Sequence, residues 1–562
     1  MRALALILWI FAVIIIISAA QSESDPREVV QASEILEMIE RGEPVNYSNV
    51  IIEGDLNLSD LDLPEYPVVR NSVGYISYLN GVEVERFGLL PGKRKIVKSA
   101  IGITDSLING SMNFNSISFF DDISLQSTIC TEDVSFQDSQ FNKSADFLWI
   151  KFYKNADFSW SRFNQTANFG EALFNKDADF RESQFDQTAF FHSAQFNQEA
   201  KFHNSQFNET ANFVCSLFNL TANFNMAQFN GSAKFNEARF AKETYFRGSR
   251  FKGTVDFINA HFDRDLDFCE VSFNQSTNFR WAQFNYNANF YKARFDKSTD
   301  FNFAQFNQTA VFIEAQFIKS AYFGNSLFNQ TAYFRDCQFA DAIFICSYLK
   351  SADFGRATFS GDLSFEGSQI DRLNLKDAEF CKIFLRWKSI GHLEYDETAY
   401  LLLMGNFKNL NFLEDANDCY YDYRNDRRAT LPWYYQPVDY ALMLFYGYGV
   451  KPDRPVLWSI IFVAFFAGLF WWRQGILPVR EGEPEEEANR FSLLEAVAFS
   501  AMTFLSGGKL VFDPPEYRIA SGRPWRDVQI SKALFILERL LGMVLIIMFA
   551  IAVGKTIILG GG

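Results

Sequence analysis

The chain has 562 residues, a formal net charge of −15 and 64 phenylalanines. That acidity excludes nucleic-acid binding through a broad basic surface. Its seven cysteines (130, 215, 269, 337, 346, 381 and 419) form no CxxC pair and no even framework, which argues against zinc or a disulfide scaffold; Cys130 and Cys337 read as small apolar fillers.

Residues 1–20 place Arg2 before ALALILWIFAVIIII and end on Ser18-Ala19-Ala20, the pattern of a secretory signal cleaved after Ala20. An uncleaved N-terminal membrane anchor is the alternative, and either one exports the chain that follows. Residues 21–102 include ILEMIERGEPVNYSNVIIEGDLNLSDLDL, which predicts a short amphipathic helix and then a β lead-in, since Leu56 and Leu61 already keep a five-residue step. Such a segment is the N-terminal cap that a solenoid needs.

From Phe136 to Phe339 a phenylalanine recurs at alternating steps of five and six residues, thirty-eight in all. A fixed short period marks a repeat architecture in which each copy buries its face only against its neighbours. A 3.6-residue helix cannot hold these steps on one stripe, so the period is β. Each inward ring is preceded two residues earlier by a small residue: Ala167 before Phe169, Ala172 before Phe174, Ala178 before Phe180 and Ser183 before Phe185. Positions i and i−2 share a face in extended backbone, so ring and small residue both point inward. The same phase runs back through Cys130, Leu125, Phe119, Phe114 and Ile108 to Ile103, and forward, mostly in fives, to Leu385. A β-solenoid with four short faces is predicted over 103–389.

Ala-Asn-Phe at 167–169, 211–213 and 222–224 and Ala-Asp-Phe at 178–180 resemble the A(N/D)Φxx signature of the pentapeptide-repeat family. The resemblance implies a right-handed quadrilateral β-helix. Because every second face is lengthened by one residue, about 22 residues per coil are expected where the family has 20. About a dozen coils stacked roughly 4.8 Å apart make a rod on the order of 60 Å long.

Asp146, Asp157 and Asp179 share one outward slot, where solvated turn or face positions are the default for such charges. His192 and His203 are half a coil apart, on opposite faces, and no acid-base or metal constellation emerges; neither an enzyme nor a cofactor is expected. N-x-S/T occurs at eleven asparagines, but Asn142, Asn164, Asn208, Asn219, Asn230, Asn274, Asn307 and Asn329 follow an inward Phe, where turn chemistry accounts for them. Asn46, Asn57 and Asn109 are left as candidate N-glycosylation sites.

After Leu385 the period ends. Leu403, Phe407 and Leu410, then Ala416, Tyr420 and Tyr423, fall at helical spacings, predicting a helical cap or linker over 390–445. Residues 446–562 read as a membrane module. Val456–Trp472 is long enough to span and carries interfacial Trp458, Trp471 and Trp472, and 533–559 holds a second span. Between them, after an acidic stretch at 481–487, residues 491–505 are apolar but too short to span, and Ser506-Gly507-Gly508 follow. That pattern reads as a re-entrant pore helix, since irregular backbone at membrane depth is tolerated inside protein or beside water.

YGYGVKPDRPVLWS (446–459), the span after it, FSAMTF (499–504) and ERLLG (538–542) resemble the two-helix ion-channel module that follows pentapeptide repeats in prokaryotic, especially archaeal, membrane proteins. There, FSxxTF leads into a TxGYGD-type filter whose backbone carbonyls replace the hydration shell of potassium. Phe499, Ser500, Thr503 and Phe504 match. The filter position departs: Thr503, Phe504, Leu505, Ser506, Gly507, Gly508 and Lys509 contain no Gly-Tyr-Gly, and Lys509 brings a cation near the ion path. Tyr446-Gly447-Tyr448-Gly449 precedes the first span and reads as a turn. The resemblance implies a homotetramer in the lipid bilayer, a cation pore of altered selectivity, and the rod as a sensing module or a docking module for a surface partner. The alternative is a cell-surface scaffold or adhesion protein whose channel-like domain only anchors it. The export signal and the Lys/Arg of the inter-span loop place the rod outside the cytoplasm.

Overall fold

The computed structural model describes residues 27–72, 76–79, 82–85, 88–479, 492–507 and 513–558. The expected signal at 1–20, the acidic stretch at 481–487, Gly508 and Lys509 lie outside the described residues. The described residues divide into two units, those up to Asn374 with Glu379–Phe384, and Leu375–Ala378 with those from Leu385 onward.

The first unit is a β-solenoid of about 16 turns. Each turn has four strands of about two residues, as in Gln140–Phe141, Ala145–Asp146, Lys151–Phe152 and Ala156–Asp157, and the next turn begins at Arg162–Phe163. Strands in successive turns pair in parallel with a 22-residue register, Phe141 beside Phe163, then Phe185, then Phe207. The period therefore counts turns, and the expected coil length holds. Late turns tighten: Ala321 pairs with Ala342 and Phe339 with Phe359, where five-residue faces replace six-residue ones.

Four columns of rings fill the interior. Along a column rings stack face to face, Phe163 on Phe185 at 4.8 Å and 1°. Between the two columns that meet across the centre they pack edge to face, Phe169 against Phe180 at 5.2 Å and 83°. Both arrangements suit the aromatic quadrupole. Phe169, Phe174, Phe180 and Phe185 are wholly buried, as are Ala167, Ala172, Ala178 and Ser183 two residues before them.

The turns start well before Ile103. Glu28–Gln31 pairs with Val50–Glu53 at the same 22-residue register, and α1 (Ala32–Arg41) buries Ala32, Ile35 and Ile39. Ile51 then pairs with Leu107, because an antiparallel pair of strands, Glu65–Ser72 and Gly88–Val97, is inserted in between. The segment read as a cap is thus a helix-bearing first turn plus an insertion. Its aliphatic inward residues, Val50, Ile52 and Leu56, hide it from a phenylalanine count. Early entry into the solenoid makes the rod roughly 75 Å long at about 4.8 Å per turn.

The second unit is helical. Helices α2 (Glu397–Asn409) and α3 (Leu413–Arg427) bury Leu403 and Phe407, and Ala416 and Tyr423, at the expected spacings. A further helix, α4 (Gln436–Tyr446), precedes the Tyr446–Gly449 turn, in which Tyr448 has φ 56°. Then come α5 (Asp453–Arg473), α6 (Leu493–Leu505) and α7 (Trp525–Ile558). Helices α5 and α7 are long and apolar enough to cross a membrane; α6 is a shorter apolar helix. Helix α7 starts before the apolar run at 533, because Trp525–Lys532 already has helical backbone despite its charges.

Candidate functional site

The arrangement of α5, α6 and α7 follows from their ends. Ile476–Pro478 pairs antiparallel with Tyr517–Ile519, tying the chain after α5 to the chain before α7. Arg473 donates to Asp527 at 2.8 Å and Arg523 to Gln474 at 2.8 Å, so the C-terminal end of α5 meets the N-terminal end of α7. Helix α6 is started by a capping box, the Ser492 hydroxyl accepting from Glu495 N–H while the Glu495 carboxylate accepts from Ser492 N–H.

Three levels fix α6 against its neighbours. Phe499 packs edge-on to Phe470 at 5.4 Å and lies 5.9 Å from Phe535. At the second level the next residue, Ser500, places its hydroxyl 2.9 Å from Val463 O and in hydrogen bond with the Glu538 carboxylate. Glu538 is 0% exposed, and among the described residues its second carboxylate oxygen has no hydrogen-bond partner. At the third level backbones touch: a Cβ on Gly542 would lie 2.1 Å from Phe504 O, and one on Gly507 2.4 Å from Met543 N. Hence α6 runs alongside α7 in the same direction and ends beside Gly542. An apolar cleft of about 460 Å³ opens beside these helices, lined by Val456, Ile460, Val497, Phe504, Leu545 and Phe549 among others.

Of the residues assigned to the filter, Thr503, Phe504, Ser506 and Gly507 are buried and Leu505 is exposed. Thr503 Oγ1 donates to Phe499 O at 2.8 Å and Ser506 Oγ to Thr503 O at 2.7 Å, both back into their own helix. Gly508 and Lys509 fall outside the described residues. Sequence reading missed Glu538, whose ERLLG context was used only for its resemblance; a lone carboxylate in an apolar run was the available signal.

Before α5, Asp439 is buried and accepts from Arg424 at 2.9 Å, Arg428 at 3.0 Å and the Tyr448 hydroxyl at 2.6 Å. Burial raises its carboxyl, but these hydrogen bonds outweigh that and hold it below the ordinary carboxylate range. Burial and the bond to Asp439 push Tyr448 up to about 12. The Tyr-Gly-Tyr-Gly sequence is therefore a turn locked by its second tyrosine.

Residues 125–184, 216–261 and 257–305 match the family model of pentapeptide repeats, with nine copies. This stretch of the rod is built of pentapeptide repeats. No curated protein and no solved structure matches the chain.

In the pentapeptide repeats, the A(N/D)F signature has a local cause. The Asn or Asp side chain accepts from the backbone N–H two residues on: Asp157 from Ser159 at 2.8 Å, Asn168 from Gly170 at 3.1 Å and Asp179 from Arg181 at 3.0 Å. The next residue takes left-handed backbone, as at Trp160 (φ 63°) and Glu182 (φ 57°). Such side chains cap the corner, so Asp146, Asp157 and Asp179 sit in turns, one of the two kinds of position expected for their slot, and their carboxylates cap the corner backbone. The asparagines after inward rings form ladders along the rod. Asn164 Nδ2 donates to Asn142 Oδ1 at 2.8 Å, Asn208 to Asp186 at 2.7 Å, Asn230 to Asn208 at 2.7 Å and Asn329 to Asn307 at 2.8 Å. In these sequons the nitrogen that would carry a glycan is already engaged. Of the other candidates, Asn46 is exposed, Asn57 donates to Asp60 at 2.6 Å and Asn109 to Glu53 at 3.1 Å. Among the described residues no group of three or more His, Cys, Asp or Glu side chains is placed to hold a metal ion.

Proposed function

We propose that this is a two-span membrane protein of the ion-channel type, in which α6 is re-entrant and the pentapeptide-repeat rod senses or docks a surface partner. The observation that carries the reading is the end of α6 beside Gly542, about halfway along the 34 residues of α7. With α5 and α7 as spans, α6 enters from the end where Ile476–Pro478 pairs with Tyr517–Ile519 and stops roughly 26 Å along α7, at 1.5 Å per residue. Tyr517 lies back at the end from which α6 enters. A helix C-terminus aimed at mid-bilayer carries partial negative charge and favours a cation there. Four copies around an axis would enclose such a path, with backbone carbonyls as the ligands. The absence of Gly-Tyr-Gly at 503–509 removes the basis for potassium selectivity.

One observation favours the anchor reading: Thr503 and Ser506 are wholly buried and donate back into α6, so their hydroxyls are not on the surface of the chain where an ion would pass. Bilayer recording of the purified, assembled protein in sodium, potassium and calcium separates the two. Openings support the channel; silence from a demonstrably oligomeric preparation leaves the anchor. The rod is proposed to lie outside the cytoplasm. Exposed Cys215 and Cys346 on the rod should then react with an impermeant thiol reagent in intact cells, and protection of both would reverse the orientation.

A further inference from the structure

Helix α4 has its polarity inside out. Its exposed residues are Pro437, Val438, Tyr440, Ala441 and Leu444, none of them charged, while its one charged residue, Asp439, is 4% exposed and faces Arg424, Arg428 and Tyr448. A surface helix in water shows the reverse pattern, apolar stripe inward and charges outward. Just before it, Trp433, Tyr434 and Tyr435 are 80%, 56% and 57% exposed and packed on one another, with ring centroids 6.0 and 4.7 Å apart. Exposed apolar area on this scale marks an interaction surface.

The occupant follows from what α4 is fastened to. Trp458 Nε1 donates to Leu444 O at 3.0 Å, Arg454 to Met443 O at 2.6 Å, and Phe445 packs on Trp458 at 4.8 Å. These bonds hold the end of α4 level with the first turns of α5, whose exposed residues include Val456, Leu457, Ile460 and Ile461. The apolar face of α4 is thus continuous with that of the first span. Trp and Tyr are the residues that settle where hydrocarbon meets headgroup, and an apolar helix face buries itself about 5–10 Å deep at that boundary.

We infer that Trp433–Leu444 is an interfacial element whose occupant is membrane lipid, lying in the headgroup–acyl boundary beside the first span. The inference rests on the proposed membrane-spanning role of α5. It also gives the buried Asp439 cluster a purpose: by drawing the only charge of α4 inward, Arg424, Arg428 and Tyr448 leave a face that lipid can cover.

The test is photo-crosslinking from p-benzoylphenylalanine introduced singly at Val438 and at Leu444, in the purified full chain reconstituted in phosphatidylcholine vesicles. Ile460 and Phe465 in the span serve as bilayer controls, and Trp281 on the rod as the aqueous control. The expected result is a mass increase of one phospholipid at 438 and 444 as at 460 and 465, and none at 281. A band of twice the chain mass from 438 and 444 would assign the face to a second copy and overturn the inference. So would adducts at 460 and 465 with none at 438 and 444, which leaves the spanning role intact. Absence of lipid adducts at all four positions would overturn the spanning role itself, and the inference with it.

Discussion

Phe202→Ala tests whether the rod is held together layer by layer. Phe202 stacks between Phe180 at 4.9 Å and Phe224 at 4.8 Å, and meets Phe191 and Phe213 edge-on at 5.4 Å each. Removing a buried ring costs about 3–5 kcal/mol, the upper end applying where the surroundings cannot collapse. Here they cannot easily do so, because backbone hydrogen bonds between turns, such as Phe202 N–H to Asn223 O at 2.7 Å, fix the rings above and below. The loss should raise the local opening constant by about two to three and a half powers of ten. In a solenoid each repeat contacts only its neighbours, so the effect should fade within a turn or two. Hydrogen exchange followed by mass spectrometry on the full chain reads this directly. Peptides covering 178–226 should lose protection by that factor, while those covering 290–340 should hardly change. Equal loss along the whole rod would refute nearest-neighbour stability.

Asp439→Asn should cost the helical unit about 3–5 kcal/mol, as expected when one member of a buried ion cluster is removed, read as a lower melting temperature by circular dichroism in detergent. Because the Asp439 carboxyl is held below its ordinary range, its stabilisation is complete above the unfolded pKa and is lost as pH falls through the folded one. The wild-type unit should therefore soften in acid below the ordinary carboxylate range, and the variant should have a flatter profile. Gly542→Val should push α6 off α7, since even a Cβ would meet Phe504 O at 2.1 Å; the expected outcome is a loss of at least about 1–3 kcal/mol, read as a lower melting temperature in detergent. Asn208→Ala breaks two rungs, to Asp186 and from Asn230; it should cost about 1–3 kcal/mol for the acceptors and donors left behind, seen as faster exchange at 186–230.

The rod was legible because its signal is redundant. Dozens of rings at fixed steps specify the strands, the inward faces and the 22-residue turn, and the small residue two places earlier confirms which side is inside. The first turns were not legible as such, since Val50, Ile52 and Leu56 pack like Phe without its regularity and the insertion after Leu63 breaks the count. The role of Asp157 or Asn168 as a corner cap was only half visible: their preference for turns was clear, the acceptor geometry was not. In the helical unit, length and apolarity located α5, α6 and α7. They gave no warning of the Asp439 cluster, because Arg424 and Arg428 at the end of α3, Asp439 in α4 and Tyr448 in the turn converge only when those parts fold together. Glu538 meeting Ser500 is likewise a tertiary fact.

The 22-residue register of the main run of turns has a consequence for how such a rod can change over time. Any stretch of 22 residues between equivalent corners can be duplicated or lost, and each remaining strand still meets a partner of its own kind, altering length by about 4.8 Å per event. A gain or loss of 11 residues would set each strand against one from the opposite side of the turn, in the other of the solenoid's two parallel sheets, and one of five or six would send every ring to the wrong column. Reach is therefore inherited in whole turns, and the spacing between the two ends of the rod can be adjusted only in those increments.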